Sequence, residues 1–489
     1  MLSKSHVLAA MQCPKRLWLE VNRPELRKVS ADLEYRFRQG NRLNEVMRGL
    51  HPAGHLIGPG VPLDEALELT RQHLGRDPER PLFEATFSHR GALVRADLFR
   101  QVDGAWRLTE VKSSTRVKPY HLADCAVQAW VIGGAGYPVE RAGLAHVDTR
   151  FSYRGDGDYR GLLREADLTA EVRALLAEVP HWIARGRDAL AGAEPAIGVG
   201  PHCSDPFPCP FLPYCSPQPP EYPLTLLPGG GRVVDDLLAE GITDVRDIAP
   251  GRLVKPLQIR VRQATVSGEP YLAPELSAAL RALPYPRYYL DFESIQFVVP
   301  IWAGTHPYEQ LPFQWSCQVE ESTGAVHETA FLDTSGAAPM RACAGRLIET
   351  LGNSGPILTY SPFERTVIHR LAQRFPDLAD PLVALTARIV DLLPLIKAHY
   401  YHPAMKGSFS IKAVLPTVAP HLSYAALDEV SDGTAAQAAF EQAIDPATAP
   451  VRRQQLERAL REYCALDTLA MVELVRRLSD PDGAADSLC

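Results

Sequence analysis

The chain has 489 residues, a formal net charge of −7, and hydrophobic and charged fractions of 46% and 22%, which are ordinary for a globular protein. This length predicts roughly two to four domains. No apolar run reaches the ~20 residues of a membrane helix, and the N-terminal stretch lacks the cleavage pattern of a secretory signal. We therefore expect a cytoplasmic protein. The acidic balance argues against non-specific coating of nucleic acid but allows an enzyme with a local basic groove.

The nine cysteines indicate thiols or metal ligands rather than a disulfide framework, because their number is odd and the expected compartment is reducing. Three of them, Cys203, Cys209 and Cys215, are evenly spaced in HCSDPFPCPFLPYC, a stretch with little else to hold it folded. A tetrahedral metal or a cubane cluster needs four ligands, so a fourth sulfur must come from elsewhere. Cys13 is discussed below. The remaining cysteines show no metal-ligand spacing and are expected to be free or buried thiols: Cys125, Cys317, Cys343, Cys464 and Cys489.

The first predicted elements are helices over residues 3–20 and 32–50. Residues 1–50 hold ten Lys/Arg against five Asp/Glu. Taken alone, this asymmetry indicates a solvated helix face. Beside a phosphodiester site it would flank a nucleic-acid groove. The candidate contacts are Arg16, Arg36, Arg38 and Arg42.

Two strand-like runs follow, over 91–102 and 105–114, separated by an Asp-Gly pair that predicts a hairpin. Since side chains alternate along a strand, Glu110 and Lys112 share one face, and Asp97 on the preceding strand can lie beside them. A divalent metal could bind between the two carboxylates with help from the Val111 carbonyl, while the lysine orients water or steadies developing charge. The alternative is a solvent-facing cross-strand salt bridge.

The spacing Asp-x12-Glu-x-Lys across this hairpin resembles the PD-(D/E)XK nucleases. Gln128, on a helix predicted over 121–136, resembles the glutamine motif of their RecB-like branch. The resemblance implies a restriction-endonuclease-like α/β domain in which Asp97, Glu110, Lys112 and Gln128 form the catalytic centre. Glu84 is a candidate for an additional carboxylate.

The context of Cys13, MQCPKRLW, resembles the upstream cysteine of the iron–sulfur RecB-like nucleases, including the CRISPR-associated exonucleases. In that subset one cysteine precedes the nuclease core and three follow it. The resemblance implies a 4Fe–4S cluster that clasps residues 1–215 and is held by Cys13, Cys203, Cys209 and Cys215. Zinc is the alternative, because thiolates suit both metals.

Residues 216–284 are predicted to form a proline-rich linker and a helical spacer, with a helix–Gly–helix pattern over 232–249. A second α/β domain is predicted over 285–478, followed by a flexible tail over 479–489. Its elements include a strand over 287–297, a strand and helix over 355–375, and a late helix over 460–478.

Asp291 and Glu293 are two apart on the first of these strands and therefore face the same side. Tyr463 and Asp467 are four apart on the late helix and share one face. This order resembles the DEDD exonucleases, which have an RNase H-like fold, with Glu364 at the position of the family's middle aspartate. The resemblance implies two metal ions held by four acids and a tyrosine that orients water. The four acids would be Asp291, Glu293, Glu364 and Asp467, with Asp391 in reserve.

Both halves together resemble a bacterial two-module family in which an iron–sulfur RecB-like nuclease precedes an RNase H-like exonuclease. The resemblance implies a Mg²⁺- or Mn²⁺-dependent nuclease that trims nucleic acid, foremost DNA, in repair or defence. An alternative is a nucleic-acid-binding adaptor in which one or both centres are inactive and the cluster is structural. A third possibility is that only the first centre cleaves and the second domain binds ends.

Overall fold

A computed structural model describes residues 1–28, 31–216, 219–427 and 429–480, with the side chains of residues 31–34, 36, 37 and 426 left outside the description. The chain divides into two compact units. The first comprises Met1–Pro217 and Phe297–Glu309, and the second comprises Gln218–Gln296 and Gln310–Cys489. Of the predicted tail over 479–489, residues 481–489 lie outside the described part.

The first unit combines short strands with helices, and its elements in chain order are β1 (Leu2–Ser3), α1 (Lys4–Gln12), α2 (Pro14–Asn22), α3 (Ala31–Leu50), β2 (His55–Leu56), α4 (Leu63–Arg76), β3 (Leu82–Phe83), β4 (Ala85–His89), β5 (Ala92–Ala96), β6 (Leu98–Val102), β7 (Ala105–Lys112), α5 (Pro119–Gly134), β8 (Val139–Val147), β9 (Leu163–Asp167), α6 (Thr169–Leu175), α7 (Val179–Ala191) and α8 (Leu212–Cys215). Its larger sheet has the order β2-β3-β6-β7-β8-β9, and a smaller sheet has the order β1-β5-β4. Strands β7 and β8 run parallel, so the chain must cross over between them, and α5 makes that crossover.

The predicted hairpin is confirmed. Strands β6 and β7 pair antiparallel from Val102 opposite Ala105, and Asp103 and Gly104 both have positive φ, 52° and 77°. Two positive φ values in a two-residue loop are typical of the turn whose twist matches a hairpin. The long strand predicted over 91–102 is divided, because the chain bends at Asp97 between β5 and β6.

The single helix predicted over residues 3–20 is instead two helices that meet at Cys13. This residue is extended, with φ −161° and ψ 117°, and is both the last cap of α1 and the first cap of α2. Pro14 explains the break, since a proline disfavours helical geometry in the residue before it but is well tolerated at the first position of a helix. The Ser3 hydroxyl caps the start of α1 by accepting from the His6 backbone N–H at 3.2 Å.

The second unit contains, in chain order, α9 (Arg232–Ala239), α10 (Pro256–Ser267), β10 (Tyr271–Leu272), α11 (Pro274–Arg281), β11 (Arg287–Gln296), β12 (Gln310–Glu320), β13 (Val326–Leu332), α12 (Met340–Leu351), β14 (Ile357–Thr359), α13 (Phe363–Arg374), α14 (Ala379–Thr386), β15 (Ile389–Asp391), α15 (Leu392–His399), β16 (Tyr400–Tyr401), α16 (Ile411–Val418), α17 (Gly433–Ile444) and α18 (Pro450–Ser479). Its five-stranded sheet has the order β13-β12-β11-β14-β15. Strands β13, β12 and β11 are antiparallel, and β14 and β15 run parallel to β11.

The region predicted as linker and spacer contributes to the core of the second unit. Leu237, Val261 and Leu276, from α9, α10 and α11, are fully buried in the same apolar group as Tyr289 of the sheet. The second helix of the predicted helix–Gly–helix pair is only a single 3₁₀ turn, Val245–Asp247. Burial of these side chains therefore joins the segment to the second unit, although its proline content is typical of a linker.

The protein is thus a mixed α/β protein with several mixed sheets. Among the described residues, no helix is long and apolar enough to cross a membrane.

Candidate functional sites

The first candidate site lies where β7 passes the bend between β5 and β6. Strand pairing of Leu98 with Thr109 sets Asp97 level with Glu110. The Val111 backbone N–H donates to Oδ2 of Asp97 at 2.7 Å. The structure therefore brings Asp97 beside Glu110 and Lys112, as the hairpin predicts.

Two lysines bridge the same two buried carboxylates at this site. Lys112 Nζ lies 2.5 Å from Glu110 Oε1 and 2.8 Å from Asp124 Oδ2. Lys4 Nζ, from the first residue of α1, lies 2.8 Å from Glu110 Oε1 and 2.9 Å from Asp124 Oδ1. The sequence analysis missed Lys4 and Asp124. Asp124 lies four residues before Gln128, and this helical spacing was the available signal.

Gln128 donates hydrogen bonds to both carboxylates. Its Nε2 donates to Glu110 Oε2 at 2.6 Å and to Asp124 Oδ1 at 3.0 Å. The side chain is fully buried, and its Oε1 has no hydrogen-bond partner within the described part of the chain. The predicted glutamine is therefore in direct contact with the predicted glutamate.

Burial and charge act in opposite directions on the acids of this site. Burial, with the neighbouring Glu110, raises the pKa of Asp97 to about 7. Burial would also raise the pKa of Glu110, but Lys112 and Lys4 outweigh it and hold that pKa well below its usual range. One acid therefore stays ionised while its neighbour gains or loses a proton near neutral pH.

Glu84, the possible additional carboxylate, lies at the bend between β3 and β4. The register that pairs Ala85 with Ala96 sets Glu84 level with Asp97. Its φ is 57°, an unusual value for a glutamate. Burial raises its pKa, and Glu110 adds to this effect.

The four basic candidates of residues 1–50 have different surroundings. Arg16 pairs with Glu20 at 2.9 Å. Arg38 lies over the Tyr35 ring, 5.6 Å from its centroid. Arg42 lines a separate cavity of about 820 Å³, and the side chain of Arg36 lies outside the described residues.

All four cysteines predicted as ligands line one small cavity of about 10 Å³. Cys13 and Cys203 are buried, and Cys209 and Cys215 are partly buried. Among the described residues, no three of these sulfurs lie within 4.8 Å of one another. The four thiols are of the donor type that binds iron and zinc, but their sulfurs are not drawn together as the ligands of one ion.

Contacts from α1 hold the segment that carries Cys203 and Cys209. Gln12 Nε2 donates to the backbone oxygens of His202 and Phe207, at 2.7 Å each. The Cys209 N–H donates to the Cys203 oxygen at 2.8 Å. One end of α1 therefore adjoins the cysteine cavity, while Lys4 at the other end contacts the acidic site.

The second candidate site is an acidic trio in the second unit. Strand β11 carries Asp291 and Glu293, and α18 carries Asp467. Ligand atoms of these three residues all lie within 4.8 Å of one another. They line a cavity of about 530 Å³ together with Glu364 and Tyr463. The structure thus places Asp291, Glu293, Glu364, Tyr463 and Asp467 around one cavity.

Glu364 enters the cavity from the first turn of α13. It is buried, and its Oε2 accepts a hydrogen bond from the Ser361 hydroxyl at 2.9 Å. The reserve candidate Asp391 instead caps α15, where its Oδ1 accepts from the Leu393 N–H at 3.0 Å.

Two residues of the second site were missed by the sequence analysis. The Tyr424 hydroxyl donates to Asp467 Oδ1 at 2.5 Å. Lys412 Nζ lies 5.0 Å and 4.8 Å from the ring centroids of Tyr424 and Tyr463. No spacing rule links either residue to Asp467, since Tyr424 lies 43 positions before it and Lys412 lies still earlier, in the segment SFSIKAVLP.

Burial dominates the electrostatics of the second site. It raises the pKa of Asp291 and of Glu293, and repulsion from Asp467 adds to both shifts. Burial also raises the pKa of Glu364 to about 7. Lys412 opposes the shift at Glu293. Closely spaced acids that resist joint ionisation are stabilised by a divalent cation, which prefers oxygen ligands.

Comparison with known families gives one match, to a model described as a domain of unknown function (DUF2779), over residues 288–410. This segment carries Asp291, Glu293 and Glu364 but ends before Asp467. No curated protein matches the chain.

Proposed function

We propose that this protein is a divalent-metal-dependent nuclease with candidate centres in both units. The observation that carries the proposal is the acidic trio of the second unit, whose ligand atoms all lie within 4.8 Å of one another. The trio lines a cavity of about 530 Å³ that also receives Glu364 and Tyr463. Such a cavity could admit the end of a nucleic-acid strand.

The order of strands supports an RNase H-like fold for the second unit. The sheet order β13-β12-β11-β14-β15 has the first long strand at its centre, flanked by an antiparallel hairpin and by two parallel strands. In this arrangement the central strand supplies Asp291 and Glu293, and the last helix supplies Asp467. This distribution of acids is what the resemblance to DEDD exonucleases implies.

A bound Mg²⁺ or Mn²⁺ would supply Lewis-acid chemistry for phosphodiester hydrolysis at these acids. The carboxylates Asp291, Glu293, Glu364 and Asp467 would hold it. Tyr463 would orient the attacking water, and Tyr424 fixes the Asp467 carboxylate through its hydrogen bond. Glu364 stands where the DEDD family has an aspartate, so its side chain is longer than that of the family residue. Its position on the cavity wall supports a ligand role.

The first unit supports a PD-(D/E)XK centre. Glu110 contacts Lys112 and Gln128, and Asp97 accepts a hydrogen bond from the Val111 N–H between them. They lie where a hairpin is followed by a helix and a parallel strand. Asp97 and Glu110 would hold the cation with the Val111 carbonyl. Lys112 would orient water or steady developing charge.

For the cysteine cavity we propose a 4Fe–4S cluster, with zinc as the alternative. The support is the convergence of Cys13 with three cysteines far along the chain on one cavity. Thiolate ligation is common to both groups. The role assigned to the cluster is structural.

The test is digestion of end-labelled DNA and RNA, single- and double-stranded, by wild type, Lys112→Ala, Asp291→Ala and the double variant. Reactions contain Mg²⁺, Mn²⁺ or EDTA. We expect each single variant to lose one cleavage activity and the double variant to lose both. Lys28→Ala and Asp377→Ala, which change exposed residues away from either site, serve as matched controls and should cleave like wild type.

Folding of each variant is checked by circular dichroism before activity is compared. If wild type with Mn²⁺ degrades none of the four substrates, the nuclease proposal is wrong. Binding without cleavage would favour the adaptor. If Asp291→Ala changes affinity but not the rate per bound substrate, the second unit binds ends and only the first centre cleaves.

A further inference from the structure

Lys4 contacts the buried carboxylates of the first site, although no sequence motif includes this lysine. Its Nζ is 2.8 Å from Glu110 Oε1 and 2.9 Å from Asp124 Oδ1. Lys112 contacts the same two carboxylates. Both carboxylates are almost wholly buried, so each ammonium ion is a main source of positive charge for them.

The charges at this point are already balanced. Among the four groups in direct contact, the two carboxylates Glu110 and Asp124 face the two ammonium ions of Lys4 and Lys112. Asp97, beside Glu110, adds negative charge only when it is ionised. A divalent cation that used Glu110 would meet two ammonium ions that contact the same Oε1 atom. Like charges at such distances repel strongly in a buried site, so one ammonium ion must leave when the cation binds.

Lys4 is the better placed of the two to leave. Lys112 extends from β7, where pairing with His146 of β8 and the neighbouring hydrogen bond from the Val111 N–H to Asp97 fix the backbone. Exposure does not separate the two, since 21% of the Lys4 side chain and 27% of the Lys112 side chain are exposed. The proposed chemistry needs Lys112 at the site, whereas Lys4 has no role in it and lies in the first turn of α1, outside that sheet. The body of α1 stays anchored, because Gln12 at its far end donates to His202 and Phe207.

We infer that Lys4 is a positioning residue that competes with a divalent cation for Glu110 and Asp124, so that cation binding at the first site displaces its ammonium ion. This inference rests on the proposed function, because it takes Glu110 as a cation ligand. It adds Asp124 to the site as the second carboxylate that the ammonium ion releases.

The test measures Mn²⁺ binding directly, from the electron paramagnetic resonance signal of free Mn²⁺ during titration of the full chain. All proteins carry Asp467→Asn, which weakens binding at the second site. We expect Lys4→Met to lower the Mn²⁺ dissociation constant by about tenfold, because a repelling charge is removed. Lys4→Arg, which keeps the charge, and Lys28→Met, which removes an exposed lysine elsewhere, should bind Mn²⁺ like the parent.

A second readout is the melting temperature. Lys4→Met should melt lower than the parent in EDTA, and Mn²⁺ should restore more stability to it than to the parent. Lys4→Gln, which can still donate to Glu110, takes the place of Lys4→Met if that variant does not fold.

An unchanged or weaker Mn²⁺ affinity in the uncharged variant overturns the inference. Cleavage is measured separately, so the two ideas fail in different ways. Tighter Mn²⁺ binding without any nuclease activity in wild type would refute the proposed function and support the role of Lys4. If wild type cleaves nucleic acid but loss of the lysine does not increase Mn²⁺ affinity, the proposed function is supported and the role of Lys4 is refuted.

Discussion

The Tyr424 hydroxyl donates a hydrogen bond of 2.5 Å to Oδ1 of Asp467. This bond joins a 3₁₀ turn, Tyr424–Ala426, to the middle of α18. It orients one carboxylate of the acidic trio. Burial raises the pKa of Asp467, and this hydrogen bond opposes the shift and so favours the ionised form. A tyrosine 43 residues away in sequence therefore helps to shape the candidate cation site.

Tyr424→Phe should reduce cleavage by the second centre roughly 10- to 100-fold, the range expected for loss of a hydrogen bond to a charged group. The rate is measured in a Lys112→Ala background, so that only the second centre acts. Tyr400→Phe is the matched control, because Tyr400 is a buried tyrosine whose hydroxyl shares a hydrogen bond of 2.9 Å with Thr417. Equal rates in the two variants would remove Tyr424 from the site.

The stability of the cation-free protein should fall as pH rises through about 7. Burial raises the pKa of Glu364 to about 7 in the folded chain, above its value in the unfolded chain. The folded state therefore binds a proton that the unfolded state has lost, and the resulting stability is present below pH ~4.5 and lost as pH rises through the folded pKa. Melting temperatures in EDTA across pH 5–8 measure the effect.

Glu364→Gln is the control for this pH dependence, because it cannot titrate. Its melting temperature should vary less with pH than that of wild type. Mn²⁺ should change the wild-type profile, since cation binding needs the ionised acid and therefore strengthens as pH rises. A wild-type profile that Glu364→Gln leaves unaltered would contradict the assignment.

Periodicity explains which site residues could be predicted from sequence. Asp291 and Glu293 share a strand face, and Tyr463 and Asp467 share a helix face, because backbone geometry sets both relationships locally. The hairpin turn likewise follows from its Asp-Gly pair. These short-range rules set which side chains share a face, whereas the assignments of Gln128 and Glu364 rest on the family resemblances.

The missed residues are those brought in by tertiary folding. Lys4 meets Glu110 across 106 residues, and no pattern along the chain relates them. The burial of Leu237 and Val261 could not be predicted for a similar reason. The prolines of residues 216–284 indicate a linker, and the contacts that bury these side chains come from distant parts of the chain. The break between α1 and α2 is predictable from the sequence, because Pro14 follows Cys13 directly and a proline disfavours helical geometry in the preceding residue.

Asp124→Asn should destabilise the first unit by about 1–3 kcal/mol, because it removes one of the two carboxylate charges that pair with Lys4 and Lys112. The lysines are partly exposed, so water offsets some of the loss. Urea unfolding in EDTA measures the change. Asp158→Asn is the control, since its ion pair with Arg160 is exposed and should contribute little.

Cys13→Ser and Cys209→Ser should both abolish the brown ~400 nm absorbance and the bound iron of the purified protein, because all four cysteines line one cavity. Cys343→Ala, which alters a buried thiol in α12, is the control and should keep both. If the group is zinc, the absorbance is absent in wild type, and elemental analysis should show zinc that both serine variants lose.

The same variants test what the group does for the fold. Cys13 and Cys203 are 190 positions apart, so a shared metal group closes a long loop of the first unit. Loss of the group should therefore speed limited proteolysis of the first unit and leave fragments of the second unit intact. A Cys13→Ser protein that keeps its full metal content and its protease resistance would show that Cys13 is not a ligand. The proposed link between Cys13 and the three later cysteines would then be wrong.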